Sequence, residues 1–294
     1  NSLPRRFAVS GCRTRPNHHT PIPTMTAPNP KRARHIRVLS HQDLSPNLRR
    51  IVFHSPDLAD YPFVCNGAHI KLLLPLPGQE VPVLPEATPQ GPKWADKSTR
   101  PIGRTYTLRG YDRDACTISV DFVLHSDAGP AADFARNAAA GQTLGVSAPA
   151  GPSPMLKPAA RYLFAGDLSA LPAIGSMIED MPATAAGDVL LWLPEKADLP
   201  ALPLPEAVRL HTFFGGMEQA APLIERFRSL RPAADSDTFV WIAGEAGMVA
   251  ELRHSARRDW SLPAARCYAV PYWHHGENEE SYHNKRHDFL DSED

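Results

Sequence analysis

The sequence predicts an antiparallel β-barrel followed by an open α/β domain with a parallel sheet. Between residues 34 and 148, short apolar segments with strand periodicity alternate with turn residues, which is typical of a closed barrel. After residue 161, apolar strand segments alternate with helical segments, which indicates a parallel sheet covered on both faces. The chain has 294 residues, 43% of them hydrophobic, and is therefore long enough to bury two cores.

The strand predictions in the first half rest on alternation. The clearest strand, 117–124, places Ile118, Val120 and Phe122 on one face. A helix is predicted over 131–140, because a proline precedes it and a glycine follows it. A loop of unusual length, 75–101, separates two strands, and such loops are usually functional or disordered. The predicted strands are 35–40, 48–53, 68–74 and 117–124.

The second half is predicted from apolar strand segments and the helical segments between them. The strands are 162–165, 189–193, 208–213, 239–243 and 267–270, and the helices lie near 170–180, 219–229 and 248–257. At the end of the chain acidic residues precede basic ones, which complements a helix dipole, so a terminal helix is predicted over 278–289. We therefore divide the chain into a disordered leader (1–32), a barrel domain (33–157), an α/β domain (158–273), and a C-terminal helix and tail (274–294).

Composition excludes several classes of protein. The 31 Lys and Arg residues balance 32 Asp and Glu residues, whereas a nucleic-acid binder usually shows a basic excess. The four cysteines lie far apart, which argues against a disulfide framework or a zinc site. No apolar run reaches the ~20 residues of a membrane span, and the residues after Arg5 and Arg6 are not apolar enough to read as a secretory signal. We expect a cytoplasmic monomer. The residues before Met25 are expected to be a vector-derived or upstream-translated leader, or a native disordered extension.

The sharpest chemical signal is the string RTYTLR at residues 104–109, which follows the long loop. Alternate residues of a strand share a face, so Arg104 and Tyr106 can approach one ligand together. The guanidinium suits pyrophosphate oxygens, the phenol ring suits an isoalloxazine, and Thr107 suits the flavin N5 edge. The same string also fits an ordinary strand edge with exposed side chains.

A second cluster lies downstream and suits the rest of a flavin dinucleotide. Asp121 can accept a hydrogen bond from a ribose hydroxyl, and His125 can donate one to a phosphate. The helix that starts after Gly129-Pro130 presents unpaired N–H groups and its positive dipole end to a phosphate. Phe134 can stack on adenine. A plain strand, turn and capped helix, with His125 as a loop histidine, also accounts for these residues.

The order and spacing of these motifs resemble the siderophore-interacting protein family, from about residue 33 to about residue 287. The strings that carry the resemblance are RTYTLR (104–109), VDFVLH (120–125), GPAA (129–132), GQTL (141–144), YLFAGD (162–167), ALPAI (170–174), WIAGE (241–245) and YWHHGENEE (272–280). The resemblance implies a six-stranded FAD-binding barrel fused to an NAD(P)H-binding α/β domain. It also implies reduction of ferric siderophores, so that iron is released as Fe(II).

The resemblance also implies which residues bind the cofactor. Arg104, Tyr106 and Thr107 would hold the flavin ring and phosphates, while residues of the second domain would approach and flank the flavin. The candidate cofactor-binding residues are Arg104, Thr105, Tyr106, Thr107, Asp121, Val123, His125, Ala131, Ala132, Phe134, Ser147, Asp167, Ser169, Tyr272 and Trp273. No catalytic side chain and no metal ligand is expected, because hydride transfer needs no protein acid or base and the iron stays in its chelator.

The chain departs from the family pattern at three places. It has Ala148-Pro149-Ala150-Gly151 where the family often has Gly-Pro-Arg-Gly, so one basic group is missing. It has Phe134 where the family often has Trp, and Asp167-Leu168-Ser169 where the family usually has Asp-Glu-Thr.

The nicotinamide site has the weakest sequence signal. No Gly-x-Gly-x-x-Gly turn occurs, so pyridine nucleotide is expected to bind weakly. The turn Gly244-Glu245-Ala246-Gly247 is a further candidate for a nucleotide contact.

Substrate contacts are predicted from charge. Ferric siderophores are often anionic, so Lys71, Arg109 and Arg266 are candidate substrate-binding residues, with a solvated surface charge as the alternative for each. The predicted electron donor is NADPH or NADH. Two other functions stay open, a general NAD(P)H-flavin reductase with another acceptor and a non-catalytic protein that binds FAD or a ferric chelate.

Overall fold

The computed structural model describes residues 29–124 and 129–276, and its two larger sheets follow one another along the chain. The first half contains β1 (Arg34–Ser45), β2 (Leu48–His54), β3 (His69–Leu74), β4 (Glu86–Thr88), β5 (Gly91–Lys93), β6 (Ile102–Thr107), β7 (Gly110–Asp112), β8 (Thr117–Val123), α1 (Pro130–Asn137) and β9 (Thr143–Val146). Its main sheet has the order β6-β3-β9-β1-β2-β8-β7, and neighbouring strands are antiparallel.

Leu108 and Arg109 close this sheet into a barrel. The Leu108 N–H donates to the Ala68 carbonyl at 2.8 Å, next to β3, and the Arg109 N–H donates to the Ser119 carbonyl on β8 at 2.9 Å. The chain therefore crosses from one end of the sheet to the other, and β6 and β7 act as one bent strand. The predicted barrel is confirmed.

Alternate residues of the barrel strands form its core. Ile51, Ile70 and Val120 are fully buried, as the two-residue period of a strand requires. Ala135 of α1 packs into the same core, so the helix covers part of the barrel.

The predicted loop 75–101 contains more structure than the sequence indicated. It includes the β4–β5 hairpin, and Leu84 packs against Gly145 of β9. A Cβ at Gly145 would lie 2.6 Å from Leu84 Cδ2 and 3.0 Å from Leu73 Cβ. A larger residue there would displace the loop, so glycine is what lets it lie against the barrel.

The second half contains β10 (Arg161–Asp167), α2 (Leu171–Glu179), β11 (Ala186–Leu193), β12 (Ala207–Phe214), α3 (Ala220–Ser229), β13 (Thr238–Glu245), α4 (Ala246–His254) and β14 (Cys267–Trp273). Its sheet is parallel and has the order β12-β11-β10-β13-β14. Helix α2 packs with Phe164 and Trp241 on one face, and α3 and α4 pack with Leu163 and Val240 on the other. The predicted α/β architecture is confirmed.

Three predictions fall outside the described residues, namely the leader before residue 29, the phosphate contact of His125 and the terminal helix 278–289. Among the residues that are described, no helix is long and apolar enough to cross a membrane.

A buried arginine anchors the start of the barrel. Arg34 is 1% exposed, and its guanidinium donates to the carbonyls of Pro30, Arg32, Asp57 and Asp60 and to the Asp60 carboxylate. Arg32 forms a second ion pair with Asp60 at 2.7 Å. Buried charges are tolerated when they are paired and hydrogen-bonded, so this arrangement fixes the first residues of β1.

We expect Leu163→Ala to destabilise the fold strongly. Leu163 is fully buried, and truncating a buried leucine leaves a cavity that costs about 2–5 kcal/mol. Leu39→Ala is the matched control, because Leu39 is 55% exposed and the same change there should stay within about 0.5 kcal/mol. Urea unfolding followed by circular dichroism measures both, and equal midpoints would contradict the core described here.

The stability contributed by Asp60 should depend on pH. Hydrogen bonds from Arg32 and Arg34 lower the pKa of Asp60 to about 2. The ion pairs therefore contribute fully to the free energy of unfolding at pH values above the ordinary aspartate pKa of about 4. This contribution is lost as the pH falls through about 2, where the Asp60 carboxylate is protonated. Because the carboxylate is half exposed, we expect a contribution of about 1 kcal/mol.

Asp60→Asn should accordingly lower the melting temperature at neutral pH, and the difference from the wild type should shrink as the solution is acidified. Thermal unfolding across that pH range measures it. A difference that does not change with pH would show that the ion pairs are not its cause.

Candidate functional site

The parallel sheet has its topological switch point between β10 and β13. The chain builds β11 and β12 on one side of β10 and then crosses to form β13 on the other. In open α/β sheets, ligands bind outside the carboxyl ends of the strands at such a point. Asp167 ends β10 and Glu245 ends β13, so two carboxylates lie at this edge.

Asp167 joins the ends of three strands. Its carboxylate accepts hydrogen bonds from the Ser169 N–H (2.9 Å) and hydroxyl (2.5 Å), the Glu245 N–H (2.7 Å) and the Trp273 indole N–H (2.8 Å). Burial raises the pKa of Asp167, and these four donors oppose that shift. The predicted residues Asp167, Ser169 and Trp273 are therefore brought together, in an arrangement that a single buried carboxylate fixes.

Gly244 and Glu245 complete this edge. Gly244 has φ +135°, and a Cβ there would lie 2.5 Å from Asp167 Oδ2, so only glycine leaves room for the carboxylate. The Glu245 side chain accepts from the Met248 N–H at 3.0 Å and caps α4. The turn 244–247, predicted as a nucleotide contact, thus already has the Glu245 carboxylate at the start of α4.

On the barrel, Arg104 and Tyr106 share one face of β6. The pairing of β6 with β3 puts Tyr106 opposite Ile70 and Arg104 opposite Leu72, both of which point into the barrel. The Tyr106 ring lies 4.4 Å from the ring of Phe122 on β8, centroid to centroid. Both predicted flavin contacts are half-buried and line the seam between β6 and β8. We call this region the barrel seam.

Thr105 and Lys71 lie on the opposite face of the same strands. They pair with each other across β6 and β3, so the register separates Lys71 from Arg104 and Tyr106. Ser147 lies next to Lys71, because the Lys71 N–H donates to the Ser147 hydroxyl at 2.9 Å. The predicted residues Thr105 and Ser147 therefore belong to the outer side of the barrel wall.

The end of β6 lies against helix α2. Thr107 is 7% exposed and ends β6, and the carbonyl of the following Leu108 accepts from the Gly67 N–H at 2.8 Å. A Cβ at Gly67 would lie 3.5 Å from the Ser176 side chain of α2. This contact joins the barrel to α2, the helix that begins shortly after Asp167.

A series of charges joins the two halves of the molecule next to this contact. Asp121 is buried, and Arg50 holds both of its oxygens, at 2.6 and 2.8 Å. The Arg109 guanidinium lies 3.9 Å from Asp121 and donates to Glu179 of α2 at 3.1 Å. The sequence predicted Asp121 for a ribose and Arg109 for substrate. In the structure they form ion pairs within the protein, because β2 places Arg50 directly opposite Asp121.

Helix α1 begins without a side-chain cap. Gly129 is its N-cap residue and has no side chain that could accept from the N–H groups of the first turn, and Pro130 opens that turn. Ala131 and Ala132 are small and buried, and free N–H groups at a helix start are the kind of donors that bind phosphate.

Three other predicted cofactor residues have protein contacts. Phe134 stacks on Phe53 at 6.3 Å, so its stacking on adenine stays a prediction. Val123 packs against the core of the α/β domain. Tyr272 packs edge-on to Trp241, with 6.5 Å between ring centroids.

Arg266 is not brought to this region. It forms an ion pair with Asp237 at 2.6 Å and donates to the Pro158 carbonyl at 2.9 Å. These residues precede β10, β13 and β14 and therefore lie at the amino edge of the sheet, opposite Asp167. Arg266 therefore lies away from Arg109 and from the switch point, and its contact with substrate stays a prediction.

The sequence did not predict a second contact between the two halves. Asp198, after β11, is 1% exposed and accepts from the Ser45 hydroxyl at 2.6 Å and from the Asn47 N–H and side chain at 3.1 and 2.9 Å. These partners are separated by about 150 positions, so no local pattern indicates them. The Arg50–Asp121 pair, by contrast, follows from cross-strand pairing once β2 and β8 are known to be neighbours.

The barrel seam fits a flavin dinucleotide. Arg104 and Tyr106 of β6 supply a guanidinium and a phenol ring, and Phe134 of α1 lies 6.0 Å from Phe122, the ring next to Tyr106. A guanidinium, a phenol ring and a helix start are groups that bind pyrophosphate and flavin rings. Within residues 29–124 and 129–276, no cluster of three or more His, Cys, Asp or Glu side chains is arranged to hold a metal ion.

Comparison with protein families identifies the chain. Residues 37–153 match the model of the siderophore-interacting FAD-binding domain, and residues 159–276 match that of the siderophore-interacting protein. The chain belongs to the siderophore-interacting protein family. The resemblance inferred from its motifs is thereby confirmed.

Relatives and solved structures agree with this assignment. Ferric vibriobactin reductase ViuB of Vibrio cholerae is 34% identical over 254 residues, which cover 85% of this chain and 92% of that protein. The siderophore-interacting protein SipS of Aeromonas hydrophila is 46% identical, with a TM-score of 0.81 over 90% of this chain and 100% of that chain. Ferredoxin-NADP+ reductase of Plasmodium falciparum, at 10% identity and a TM-score of 0.60 over 83% of this chain and 98% of that chain, shares the fold alone.

We expect Trp273→Phe to destabilise the α/β domain. The substitution keeps an aromatic ring but removes the indole donor to Asp167, and a buried acceptor that loses a partner costs about 1–3 kcal/mol. Trp94→Phe is the control, because its indole donates to the Val83 carbonyl in the exposed loop. Hydrogen exchange at the ends of β10 and β13 should speed up only in Trp273→Phe, and equal protection in both variants would count against the role of Asp167.

Proposed function

We propose that the protein passes electrons from NAD(P)H through FAD to ferric siderophores and releases Fe(II), acting as a monomer in the cytoplasm. The observation that carries this proposal is the position of Asp167. It lies at the switch point of the sheet, and the helix that follows it packs against Gly67. The Gly67 N–H donates to the carbonyl of Leu108, just after β6, the strand that carries Arg104 and Tyr106. This contact supports the proposal that a nucleotide at that edge meets a flavin in the barrel seam.

Family membership and the activity of one relative support ferric siderophores as the electron acceptor. The Vibrio cholerae relative is a ferric vibriobactin reductase, and the alignment covers most of both chains. Its activity comes to this chain as part of the proposal.

The described residues divide between the two sides of the flavin. Arg104 would pair with the pyrophosphate and Tyr106 would lie against the ring, while the open first turn of α1 would donate N–H groups to a phosphate. On the α/β side, Tyr272 and Trp273 would flank the ring. Asp167 fixes the Trp273 indole, so this flank would be rigid before any ligand arrives.

FAD supplies the exchange between a two-electron hydride from nicotinamide and the one-electron reduction of ferric iron. One NAD(P)H therefore reduces two ferric ions and releases one proton. The protein needs to orient the reacting groups and to exclude water, and no side chain needs to donate or remove a proton for hydride transfer. The iron remains in its chelator, so no protein ligand set is required.

Lys71 is proposed to attract the substrate by long-range charge rather than by contact at the flavin. It is exposed on β3, on the face opposite Arg104 and Tyr106, and its ammonium would raise the local concentration of an anionic chelate. Arg109 is held by Glu179, so we assign it to the contact between the two halves rather than to substrate.

An anaerobic absorption experiment tests the proposal. The purified protein is loaded with FAD, NADH or NADPH is added, and a ferric catecholate siderophore follows together with ferrozine to trap Fe(II). We expect the flavin band to bleach with nucleotide and to return with the ferric siderophore, with two Fe(II) trapped for each nucleotide oxidised.

Other results would separate the alternatives. If another acceptor restores the flavin band after bleaching and a ferric siderophore does not, the protein is a general flavin reductase. A protein that binds FAD and the chelate without bleaching would indicate a carrier. A protein that cannot be loaded with FAD would contradict the proposal as a whole.

Arg104→Ala tests the placement of the cofactor. Loss of a charge-assisted contact to pyrophosphate should weaken FAD binding about tenfold or more, which a fluorescence titration of the refolded or FAD-depleted protein measures. Arg100→Ala is the matched control, because Arg100 lies over the Trp94 ring in the loop before β6. Full FAD affinity in Arg104→Ala would show that the phosphates bind elsewhere.

A further inference from the structure

A small cavity lies at the outer edge of the parallel sheet. It has a volume of about 200 Å³ and is bounded by the end of α4, by the turn that follows this helix, and by residues 267–270 of β14. β14 is the last strand of the sheet. Consecutive side chains of a strand point to opposite faces, so four consecutive lining residues show that the cavity meets the outer edge of β14. We call it the edge cavity.

Two arginines line the edge cavity. Arg253 is 9% exposed, and Arg257 follows it by four residues, a spacing that makes side chains neighbours along a helix. Burial lowers the pKa of Arg253, and the positive charge of Arg257 adds to that shift, so the two guanidiniums lie near each other. Among the described residues that line the cavity there are these two cations and no carboxylate.

The turn after α4 is wider than an α-helical turn. The Trp260 N–H donates to the Ser255 carbonyl at 3.0 Å, and this spacing of five residues is that of a π-helix. Such turns are rare and frequently lie at functional sites. The turn carries Arg257, whose guanidinium donates to the Leu262 carbonyl. One end of this guanidinium is thereby fixed beside the edge cavity.

The Nε atom of Arg257 is the observation that points to a ligand. It is buried, and within residues 29–124 and 129–276 no group accepts a hydrogen bond from it. A buried donor without an acceptor is costly, so native proteins nearly always provide a partner from the protein, from water or from an ion. A ligand oxygen in the edge cavity would be such a partner.

Neighbouring groups do not explain this arrangement. Cations near the C-terminal end of a helix are favoured by its dipole, but that effect does not require a buried guanidinium. The two acidic side chains of α4 and its following turn have other contacts, because Glu251 pairs with Arg228 at 2.8 Å and Asp259 lies 3.6 Å from His254. Burial raises the pKa of the Cys267 thiol to about 11, so this lining group carries no charge at neutral pH.

We propose that the edge cavity binds a phosphate group, held between the guanidiniums of Arg253 and Arg257. This site lies apart from the flavin and nucleotide contacts of the proposed function and does not depend on them. Each guanidinium has five N–H donors, so other contacts of Arg253 leave donors for a ligand. A phosphate group presents at least three acceptor oxygens and can accept from both arginines at once, whereas a carboxylate presents two oxygens in one plane.

The volume of the edge cavity limits what can carry the phosphate. Pockets for drug-sized ligands usually measure about 300–1,000 Å³, and the edge cavity has about 200 Å³. The rest of its wall includes the small or apolar side chains of Ala264, Ala269 and Val270. It therefore suits inorganic phosphate or the phosphomonoester of a small metabolite.

Calorimetry of the full chain tests binding. The protein is kept in a phosphate-free buffer with excess FAD and is titrated with sodium phosphate, sodium chloride or sodium succinate at matched ionic strength. We expect phosphate to bind with millimolar or tighter affinity and to raise the melting temperature, because a ligand that binds only the folded state stabilises it. Absence of phosphate binding, an equal effect of chloride, or tighter binding of succinate would overturn the inference.

Glycerol 3-phosphate separates the two sources of the group. Tighter binding than inorganic phosphate would support a phosphate carried on a small metabolite, and weaker binding would support the free ion. In either case the phosphate group itself is the part that is recognised.

Arg257→Gln tests the location of the site. Loss of one charge-assisted contact should weaken phosphate binding about tenfold. Arg258→Gln is the matched control, because Arg258 is exposed in the same turn and its substitution removes the same charge. An equal loss of affinity in both variants would overturn the inference, since net charge rather than the edge cavity would then attract the ion.

Hydrogen exchange of the wild type gives a second test that needs no variant, in case Arg257→Gln does not fold. Phosphate should slow exchange in residues 253–260 and 267–270 and leave the β4–β5 hairpin unchanged. Protection confined to the start of α1 or to the carboxyl edge of the sheet would place the ion at another site and would overturn the inference.

Discussion

The crossing at Leu108 and Arg109 is the constraint on which the rest of the structure depends. Within two residues the backbone bonds to both ends of the first sheet, which removes the exposed sheet edge that an open β-structure would leave. The same crossing carries the Arg109 side chain to α2 and brings the end of β6 against that helix through Gly67. Barrel closure and the contact between the two halves are thus one feature of the backbone.

A second constraint operates at the carboxyl edge of the parallel sheet. Asp167 is buried, and removing a carboxylate from water is costly unless donors replace the lost hydration. Its donors come from three separate parts of the chain, so the charge is tolerated only when β10, β13 and β14 are assembled together. Assembly of the carboxyl edge is therefore coupled to folding of the whole sheet.

The contact between the two halves includes buried carboxylates. Asp121 and Asp198 are both buried, and each is satisfied by arginine, serine or asparagine donors rather than left unpaired. A buried carboxylate that loses such donors costs free energy, so these contacts favour one arrangement of the two halves. A fixed arrangement would serve the electron transfer that we propose between a nucleotide and a flavin on different halves.

The sequence by itself determined the two architectures, the five strands of the parallel sheet, part of the barrel strands and the family, because hydrophobic periodicity and motif order are local properties of the chain. It did not indicate the short strands β4, β5, β7 and β9. It also placed Arg104 and Tyr106 on one face, since that follows from the period of a strand. Only the tertiary structure decided that Asp121 pairs with Arg50, that Asp198 binds Ser45 and Asn47, and that Arg266 lies at the far edge of the sheet. These outcomes depend on which strands become neighbours and on where the two halves meet, and contacts between distant residues leave no periodic signal in the chain.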